Sequence, residues 1–435
     1  MKWYVGACVL LLVGLAFDLG LLAYAMYALL AVMIVSRWLT RTWAENLNAT
    51  RECNRTTAEI GDQIAVVVAL ENRGWLPVPW LLVEDLLPRD ALAVNHPRLA
   101  VVGRRMQLAT LAVRGRKSLF YQLRCNMRGY YQVGPLVLET GDLFGLHRRW
   151  RVLTHPHFVL VYPEVVPLEG YGIASRRPIG EVRMAHRLYE DPTRIAGVRA
   201  YQAGDPLNRV HWKATARTGQ LHSKVYEPST VAGATILLDF HRDSYDPKDE
   251  PVRSELAVTL AASLAHALYQ MGQQVGLVTN GRDAADRIRQ EGWATDASAR
   301  SDAIDSAAMR EQSDRLAPVV VETRRGPEQL LRILETLARV ELTDGLSLGQ
   351  MVDETTGRLP RDATVVVILS TVSTETAVYL GGLRRQGYAV TAIVNTYYLD
   401  QYEKAAGPLV AEGIEARHLC DRAAVATVCT NYVLR

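Results

Sequence analysis

The chain has 435 residues, of which 49% are hydrophobic and 22% are charged, and its formal net charge at pH 7 is +3. This length predicts more than one folded domain, and the composition excludes a largely disordered protein. The small net charge gives no support to a nucleic-acid-binding function. Five cysteines stand apart, without CxxC or CxxH spacing, which favours a reducing compartment and argues against a disulfide framework or a zinc site.

An almost wholly apolar stretch, interrupted by Asp18, opens the chain. A membrane span needs about 20 apolar residues, so this stretch is too long for one span and slightly short for two. An aspartate at the centre of a bilayer costs roughly 2.5–3.5 kcal/mol, which a turn at Asp18 avoids. The sequence therefore predicts a transmembrane helical hairpin, Trp3–Phe17 and Leu19–Val35, in a membrane anchor of residues 1–43.

Positive charges flank this hairpin on one side only. Lys2 precedes it, Arg37 and Arg41 follow it, and the turn carries no lysine or arginine. The positive-inside rule places both ends of the hairpin, and everything that follows, in the cytoplasm. The alternative is a cleaved signal peptide, but no clear small-x-small cleavage site precedes the second apolar run.

Residues 44–162 have the pattern of β-strands. Alternate apolar residues from Ile64 to Leu70 line one face of a strand, and Asn72-Arg73-Gly74 supplies a turn after it. Turn signals recur between further short β-prone runs, which predicts a β-sandwich-like domain. The interpretation is a structural or interaction module. Residues 163–232 follow as a connector, which is rich in proline at its start.

Residues 233–435 alternate between strand and helix. The continuous apolar run from Thr364 to Leu369 is typical of a strand that is buried on both faces. This alternation predicts an α/β doubly wound domain with helices on both sides of a parallel sheet. The charged stretch from about Gly281 to Leu316 is predicted to be a mobile insertion or an exposed amphipathic helix.

The first predicted strand of this domain ends in Asp239-Phe240-His241-Arg242-Asp243. Ligands of doubly wound sheets bind at the carboxyl ends of the strands. The location resembles that of the Asp-x-Ser-x-Ser metal motif of von Willebrand factor A-type domains, which makes the domain von Willebrand factor A-like. Here His241 and Asp243 replace the two serines, so Asp239, His241 and Asp243 are a degenerate candidate site for a divalent cation. The alternative, a polar strand end without a metal, is the preferred one.

The connector carries the most informative motif, in the segment from Arg199 to Glu227. It resembles the signature of the bacterial family known as domain of unknown function 58. The matching residues are Arg199, Tyr201, Gly204, Asp205, Arg209, Trp212, Ala216 and Arg217. The sequence departs from the pattern at Ala200, where the family usually has glutamate. Two other family motifs occur in the β-rich part, in the expected order: Arg128-Gly129-Tyr130 with Gly134-Pro135, and Asp142-Leu143-Phe144-Gly145-Leu146.

The physical interpretation of this signature is a turn followed by a basic surface. Gly204-Asp205-Pro206 forms the turn, and Trp212 is expected to be a buried plug between the domains. Arg209, Lys213 and Arg217 share one face if the segment is helical. With Arg199, His211, His222 and Lys224 they form a basic surface for an acidic partner segment or a phosphate. The alternative is an internal cluster of ion pairs that fixes the domain interface.

The family resemblance implies a protein of the bacterial inner (cytoplasmic) membrane, multi-pass, with cytoplasmic soluble domains. Its implied partners are a MoxR-type AAA+ ATPase and other von Willebrand factor A-domain proteins, in the maturation of envelope or membrane complexes. No nucleophile–base pair or phosphate-binding glycine loop is evident, so we expect a non-enzymatic interaction factor without a cofactor. The alternative is a divalent-metal-dependent adhesion module that binds a partner carboxylate through Asp239.

Overall fold

The computed structural model describes residues 2–88, 90–92, 95–169, 190–202, 210–228, 233–286, 316–360 and 363–429. Most of the charged stretch that the sequence predicts to be an insertion or a helix, residues 287–315, lies outside the described residues.

Two apolar helices open the chain as an antiparallel hairpin, α1 (Lys2–Ala16) and α2 (Gly20–Asn46). Asp18 lies in the turn between them in a left-handed conformation, with a φ of 57°. Among the described residues, α2 is the one helix that is long and apolar enough to cross a membrane, while the apolar part of α1 is shorter. This candidate span indicates a membrane-associated protein.

The second helix extends beyond Val35, the predicted end of the membrane span, and continues to Asn46. Its last turns pack against the next domain, where Trp43 and Ala44 are buried. Packing of this kind stabilises helical turns beyond the apolar segment itself. One continuous helix thus joins the apolar hairpin to the body of the protein.

Strands form the region that follows, as the sequence predicted. They are β1 (Leu47–Cys53), β2 (Thr57–Ala58), β3 (Gln63–Asn72), β4 (Val78–Asp85), β5 (Leu99–Gly103), β6 (Met106–Leu111), β7 (Arg116–Cys125), β8 (Gly129–Val133), β9 (Leu136–Gly141), β10 (Arg148–Thr154) and β11 (His157–Val161). Two four-stranded antiparallel sheets, β1-β3-β7-β5 and β10-β9-β4-β6, enclose a common core, and a smaller sheet has the order β2-β11-β8. In β3 the alternation holds as predicted, because Ile64, Val66, Val68 and Leu70 are all buried.

A buried ionic cluster links the two large sheets. Arg51 of β1 and Asp85 of β4 form an ion pair whose side chains are both inaccessible to solvent. Nε of Arg51 donates to Oδ2 of Asp85 at 2.9 Å, and the Tyr121 hydroxyl of β7 donates to the same oxygen at 2.6 Å. Gly134 lies against this cluster with a φ of 89°, where any Cβ would collide with the Arg51 guanidinium.

The C-terminal domain contains a six-stranded sheet with helices on both faces. The chain reaches this domain through β12 (Glu190–Ala200), α3 (Trp212–Thr218) and β13 (His222–Pro228). The elements of the domain are β14 (Gly233–Leu238), α4 (Val252–Gln270), β15 (Gln274–Thr279), β16 (Arg282–Asp283), β17 (Val319–Arg324), α5 (Pro327–Arg339), β18 (Val340–Glu341), α6 (Leu348–Thr355), β19 (Ala363–Leu369), α7 (Thr374–Arg385), β20 (Val390–Asn395), α8 (Leu399–Ala411), β21 (Glu415–Leu419) and α9 (Arg422–Thr427). The strand order is β17-β15-β14-β19-β20-β21, which is the doubly wound arrangement.

The prediction of a wholly parallel sheet is wrong at one edge, because β17 runs antiparallel to β15. The other neighbouring strands of this sheet are parallel. One core cluster includes apolar residues of α4, α5 and α9, and a second includes those of α6, α7 and α8, so both faces of the sheet are covered.

Arg128, in the turn between β7 and β8, joins the sandwich to the α/β domain. Its Nη1 donates to the carbonyl oxygens of Leu337 at 2.5 Å and Val340 at 2.9 Å, at the C-terminal end of α5. Its Nε lies 3.1 Å from Oε2 of Glu255 in α4, and its guanidinium stacks on Phe240, 5.5 Å from the ring centre. Arg128 is 6% exposed. The arginine of the Arg-Gly-Tyr motif therefore connects the two domains.

Candidate functional site

The signature segment forms a hairpin arm, which consists of β12 (Glu190–Ala200), the short helix α3 (Trp212–Thr218) and β13 (His222–Pro228). The strands pair antiparallel, with Ala200 opposite His222. Nδ1 of His211 caps α3 by accepting the Ala214 N–H at 3.0 Å. Gly219 ends the helix in a left-handed conformation, with a φ of 73°, as helix C-termini commonly do.

Trp212 is not a buried plug, contrary to the prediction from the sequence. It is the first residue of α3, and its side chain is 68% exposed. The neighbouring Val210 takes the inward position, since it is 2% exposed and pairs with Ser223 of β13. A seven-residue helix with no buried residue leaves the indole on the surface of the arm.

The basic residues of the arm lie beside this tryptophan. Lys213 and Arg217 are exposed on α3 and stand four positions apart, so they share one face of the helix. Arg199 is exposed on β12, and the backbone N–H of Tyr201 donates to Leu221 at 2.9 Å across the hairpin. The other signature residues of the prediction, Gly204, Asp205 and Arg209, lie outside the described residues.

Asp239, the first residue of the candidate metal site, directly follows the last residue of β14 and is 2% exposed. Its Oδ1 accepts the backbone N–H of His241 at 3.2 Å and Nδ2 of Asn280 at 3.0 Å. Its Oδ2 accepts the Ser244 hydroxyl at 2.6 Å. Burial raises the pKa of Asp239, although the hydrogen bonds from Ser244 and Asn280 oppose the shift. The carboxylate therefore binds groups of its own chain.

The other two candidate ligands do not converge on Asp239. Nδ1 of His241 accepts the backbone N–H of Asp243 at 3.2 Å, as a cap for the short 3₁₀ turn that follows. The Asp243 side chain points to solvent and is 89% exposed. Within the part of the chain that the structure describes, no three histidine, cysteine, aspartate or glutamate side chains form a cluster suited to a metal.

The sequence reasoning missed Asn280 and Ser244 as the partners of Asp239. Asn280 directly follows β15, at the same sheet edge, and its Nδ2 also donates to the Leu346 carbonyl at 2.9 Å. The signal for Asn280 was available, because the carboxyl ends of neighbouring parallel strands meet at one edge. The signal for Ser244 was not, because the 3₁₀ turn that brings it back to Asp239 has no distinctive pattern.

Comparison with known proteins relates the arm and the start of the α/β domain to one family. The family described as "Protein of unknown function DUF58" matches residues 197–299. The "Uncharacterized protein YeaD" of Bacillus subtilis (strain 168) is 26% identical over 271 residues, which cover 62% of this chain and 65% of that protein. The alignment thus spans slightly less than two thirds of that relative.

Similarities to solved structures are slight. Proximal thread matrix protein 1 from the mussel byssus has a TM-score of 0.28 at 10% identity and covers 46% of each chain. The CARDB domain of the PF1109 protein from Pyrococcus furiosus has a TM-score of 0.17 at 14% identity, and covers 26% of this chain and 86% of that domain. Similarities this slight indicate nothing about the function of this protein. Residues 197–299 thus match the family of unknown function DUF58, and the chain is similar over much of its length to the Bacillus protein.

Proposed function

We propose that this protein is a membrane-attached, non-enzymatic interaction factor that captures an acidic partner segment with its hairpin arm. The observation that carries this proposal is the exposure of Trp212 beside Lys213 and Arg217 on α3. Tryptophan and arginine are enriched among the residues that dominate binding energy in protein interfaces. Flanking cations steer an acidic partner and select against basic ones.

The exposure of Trp212 also supports one of the two interpretations of the basic cluster over the other. An internal cluster that fixes a domain interface needs its aromatic residue in contact with both domains, whereas this indole is 68% exposed. Exposed apolar surface rimmed by polar residues marks binding sites, and exposed Lys213 and Arg217 lie on the same short helix as the indole. The geometry of α3 therefore favours a surface for a partner.

The proposed partner is a MoxR-type AAA+ ATPase, with other von Willebrand factor A-domain proteins, in the maturation of envelope or membrane complexes. Its support is the family resemblance. The doubly wound α/β domain, with Asp239 at the carboxyl end of its first strand, is likewise proposed to be von Willebrand factor A-like. In that interpretation Asp239 has a structural role, since its oxygens accept hydrogen bonds from the chain itself. Within the described ranges, no cluster of ligating side chains favours the metal-dependent adhesion alternative.

The proposed location is the inner membrane of a bacterium, with both hairpin helices in the bilayer and the domains in the cytoplasm. Its support is the turn at Asp18 and the positions of Lys2, Arg37 and Arg41, which all lie at the opposite end of the hairpin. The 15 residues of α1 rise about 22 Å. They are shorter than a hydrocarbon core of about 30 Å, so local thinning of the bilayer accompanies this topology.

Binding between the purified full-length protein and a MoxR-type AAA+ ATPase from the same organism tests the proposal. We expect Trp212→Ala and the double change Lys213→Glu with Arg217→Glu each to weaken binding about tenfold or more, which corresponds to about 1.4 kcal/mol. Both changes should leave the thermal unfolding temperature unaltered, because the side chains are exposed. Lys404→Glu, an exposed charge reversal on α8, is the matched control. Wild-type affinity in the well-folded arm variants would remove the arm from the proposed function.

A further inference from the structure

One end of the β-sandwich lies beside the apolar hairpin, and the strand register identifies it. Helix α2 leads directly into β1, whose first residue Leu47 pairs with Asn72, the last residue of β3. The Asn72 side chain donates to the carbonyl of Ala112, in the turn between β6 and β7, at 3.0 Å. The β9–β10 loop reaches the same end, because the Tyr4 hydroxyl of the hairpin contacts its last residue, His147, at 2.8 Å. The opposite end of the sandwich carries Arg128 and faces the α/β domain.

The β9–β10 loop at this end presents two large apolar side chains to solvent. Leu143 is 75% exposed and Phe144 is 72% exposed. The loop is nevertheless well ordered by its own hydrogen bonds, because the Asp142 carboxylate accepts the backbone N–H of His147 at 2.9 Å. The Asp142 N–H in turn donates to the His147 carbonyl at 3.1 Å, and Gly145 has a φ of 72°. A preformed loop thus holds both apolar side chains outward.

This loop is continuous with the apolar surface of the hairpin. Leu143 and Phe144 line an open apolar groove with residues of α2 that extend from Trp43 back to Ala31. Ala31 lies six residues before Arg37, or about 9 Å deeper along the helix axis. The Tyr4 hydroxyl donates to the Met33 carbonyl at 3.0 Å and lies 2.8 Å from Nε2 of His147.

A second loop of the sandwich contributes an aromatic side chain at a shallower level. Trp75, in the turn after β3, is 66% exposed and lies 6.4 Å from the ring of Trp38 in α2. Trp38 follows Arg37, where the apolar part of the helix ends. Tryptophans concentrate at the level of lipid headgroups. The two loops therefore match the order of a bilayer, with aliphatic and phenyl groups deeper and indoles nearer the headgroups.

We propose that the β-sandwich is docked on the lipid bilayer through Leu143 and Phe144, which insert beside the hairpin at the boundary between headgroups and acyl chains. Exposed Arg149 directly follows the loop region and suits anionic headgroups, and the neighbouring Arg148 is exposed but lies 3.4 Å from Glu139. This inference rests on the proposed attachment of the hairpin to the membrane. It assigns the Asp-Leu-Phe-Gly-Leu motif a role as a lipid-contacting loop, which fixes the orientation of the soluble domains above the membrane.

The test measures the depth of single fluorophores on the full-length protein in vesicles of phosphatidylcholine and phosphatidylglycerol. An environment-sensitive probe is attached to Leu143→Cys or Phe144→Cys after the more accessible native cysteines, Cys8, Cys53 and Cys420, have been changed to alanine. Lipids with a nitroxide quencher on the acyl chain should quench both probes several-fold more than aqueous iodide does, and the emission should shift to the blue.

Two further probes separate the possible outcomes. Ile60→Cys, an exposed apolar position at the other end of the sandwich, should be quenched by iodide and not by the lipid quencher. Leu21→Cys, which is 90% exposed on the hairpin, reports attachment itself. Lipid quenching at Leu21→Cys with solvent-like behaviour at both loop positions would overturn the docking proposal alone. Solvent-like behaviour at Leu21→Cys would overturn the membrane attachment on which it rests.

Discussion

Asp239 is a buried carboxyl group whose hydrogen-bond partners belong to its own chain. Its pKa is raised because burial disfavours the charged form. A carboxyl whose folded-state pKa exceeds the unfolded value contributes stability at pH values below the unfolded pKa, and this contribution is lost as the pH rises through the folded pKa. Ionised Asp239 therefore weakens the folded state at higher pH, despite its three hydrogen bonds.

This residue makes a prediction from matched substitutions. Asp239→Asn keeps an oxygen for Asn280 and His241 and places an amide beside the Ser244 hydroxyl, so we expect its free energy of unfolding to change by no more than about 1 kcal/mol at neutral pH. Asp239→Ala leaves several buried donors without an acceptor and should cost about 3 kcal/mol or more, at about 1–3 kcal/mol for each unsatisfied group. Chemical denaturation measures both changes.

The pH dependence and the response to metal provide the controls for this residue. As the pH rises through the folded pKa of Asp239, the wild type should lose stability relative to Asp239→Asn, in which that group no longer titrates. Mg²⁺ should leave the unfolding temperature of the wild type unchanged. A stabilisation by Mg²⁺ that disappears in Asp239→Asn would contradict the structural role and restore the metal-site interpretation.

At the scale of elements, the Arg51–Asp85 pair holds the two sheets of the sandwich together. Arg51 belongs to one sheet and Asp85 to the other, and both side chains are inaccessible to solvent. Removal of one charge from a buried pair leaves the other uncompensated, which typically costs about 3–5 kcal/mol. We expect Asp85→Asn to lower the free energy of unfolding by roughly this amount, as measured by chemical denaturation.

The ion pair between Arg116 and Glu71 is the matched control for Asp85→Asn. Its atoms lie 2.9 Å apart, but its side chains are 80% and 32% exposed, and it joins strands of a single sheet. Surface pairs contribute about 0–1 kcal/mol, so Glu71→Gln should change stability little. Equal costs for the two substitutions would show that the buried pair contributes no more to stability than the exposed one.

At the scale of the whole molecule, Arg128 couples the sandwich to the α/β domain. Its guanidinium contacts the carbonyls of Leu337 and Val340 and pairs with Glu255, all in the other domain. Arg128→Met leaves these carbonyls without their donor, and we expect it to separate the unfolding of the two domains into distinct calorimetric transitions. Arg124→Met, an exposed change near the end of β7, should leave the transitions as in the wild type. A single unchanged transition in Arg128→Met would show that other contacts dominate the interface.

Such coupling also bears on how the protein is arranged on a membrane. The sandwich has the apolar hairpin and the loop that we propose to contact lipid at one end and Arg128 at the other. If these contacts hold together, the α/β domain is held at a defined distance from the bilayer.

The order of the parts was determined by the sequence alone, because hydrophobic periodicity reports directly on local structure. Three patterns each predicted the element that formed: the apolar stretch interrupted at Asp18, the alternation from Ile64 to Leu70 and the continuous apolar run from Thr364 to Leu369. The position of Asp239 at a strand end followed from the same periodicity, since the apolar run stops there.

Only the tertiary structure decided which side chains meet and which stay in water. The exposure of Trp212, the turn that brings Ser244 to Asp239 and the contact of Arg128 with Val340 all depend on residues that are distant along the chain or on turns without a strong pattern. The same holds for the extension of α2 to Asn46, where packing on the sandwich stabilises turns that hydrophobicity alone did not predict. Periodicity identifies the face that an element buries, whereas the partner of that face is set by the three-dimensional packing of the whole chain.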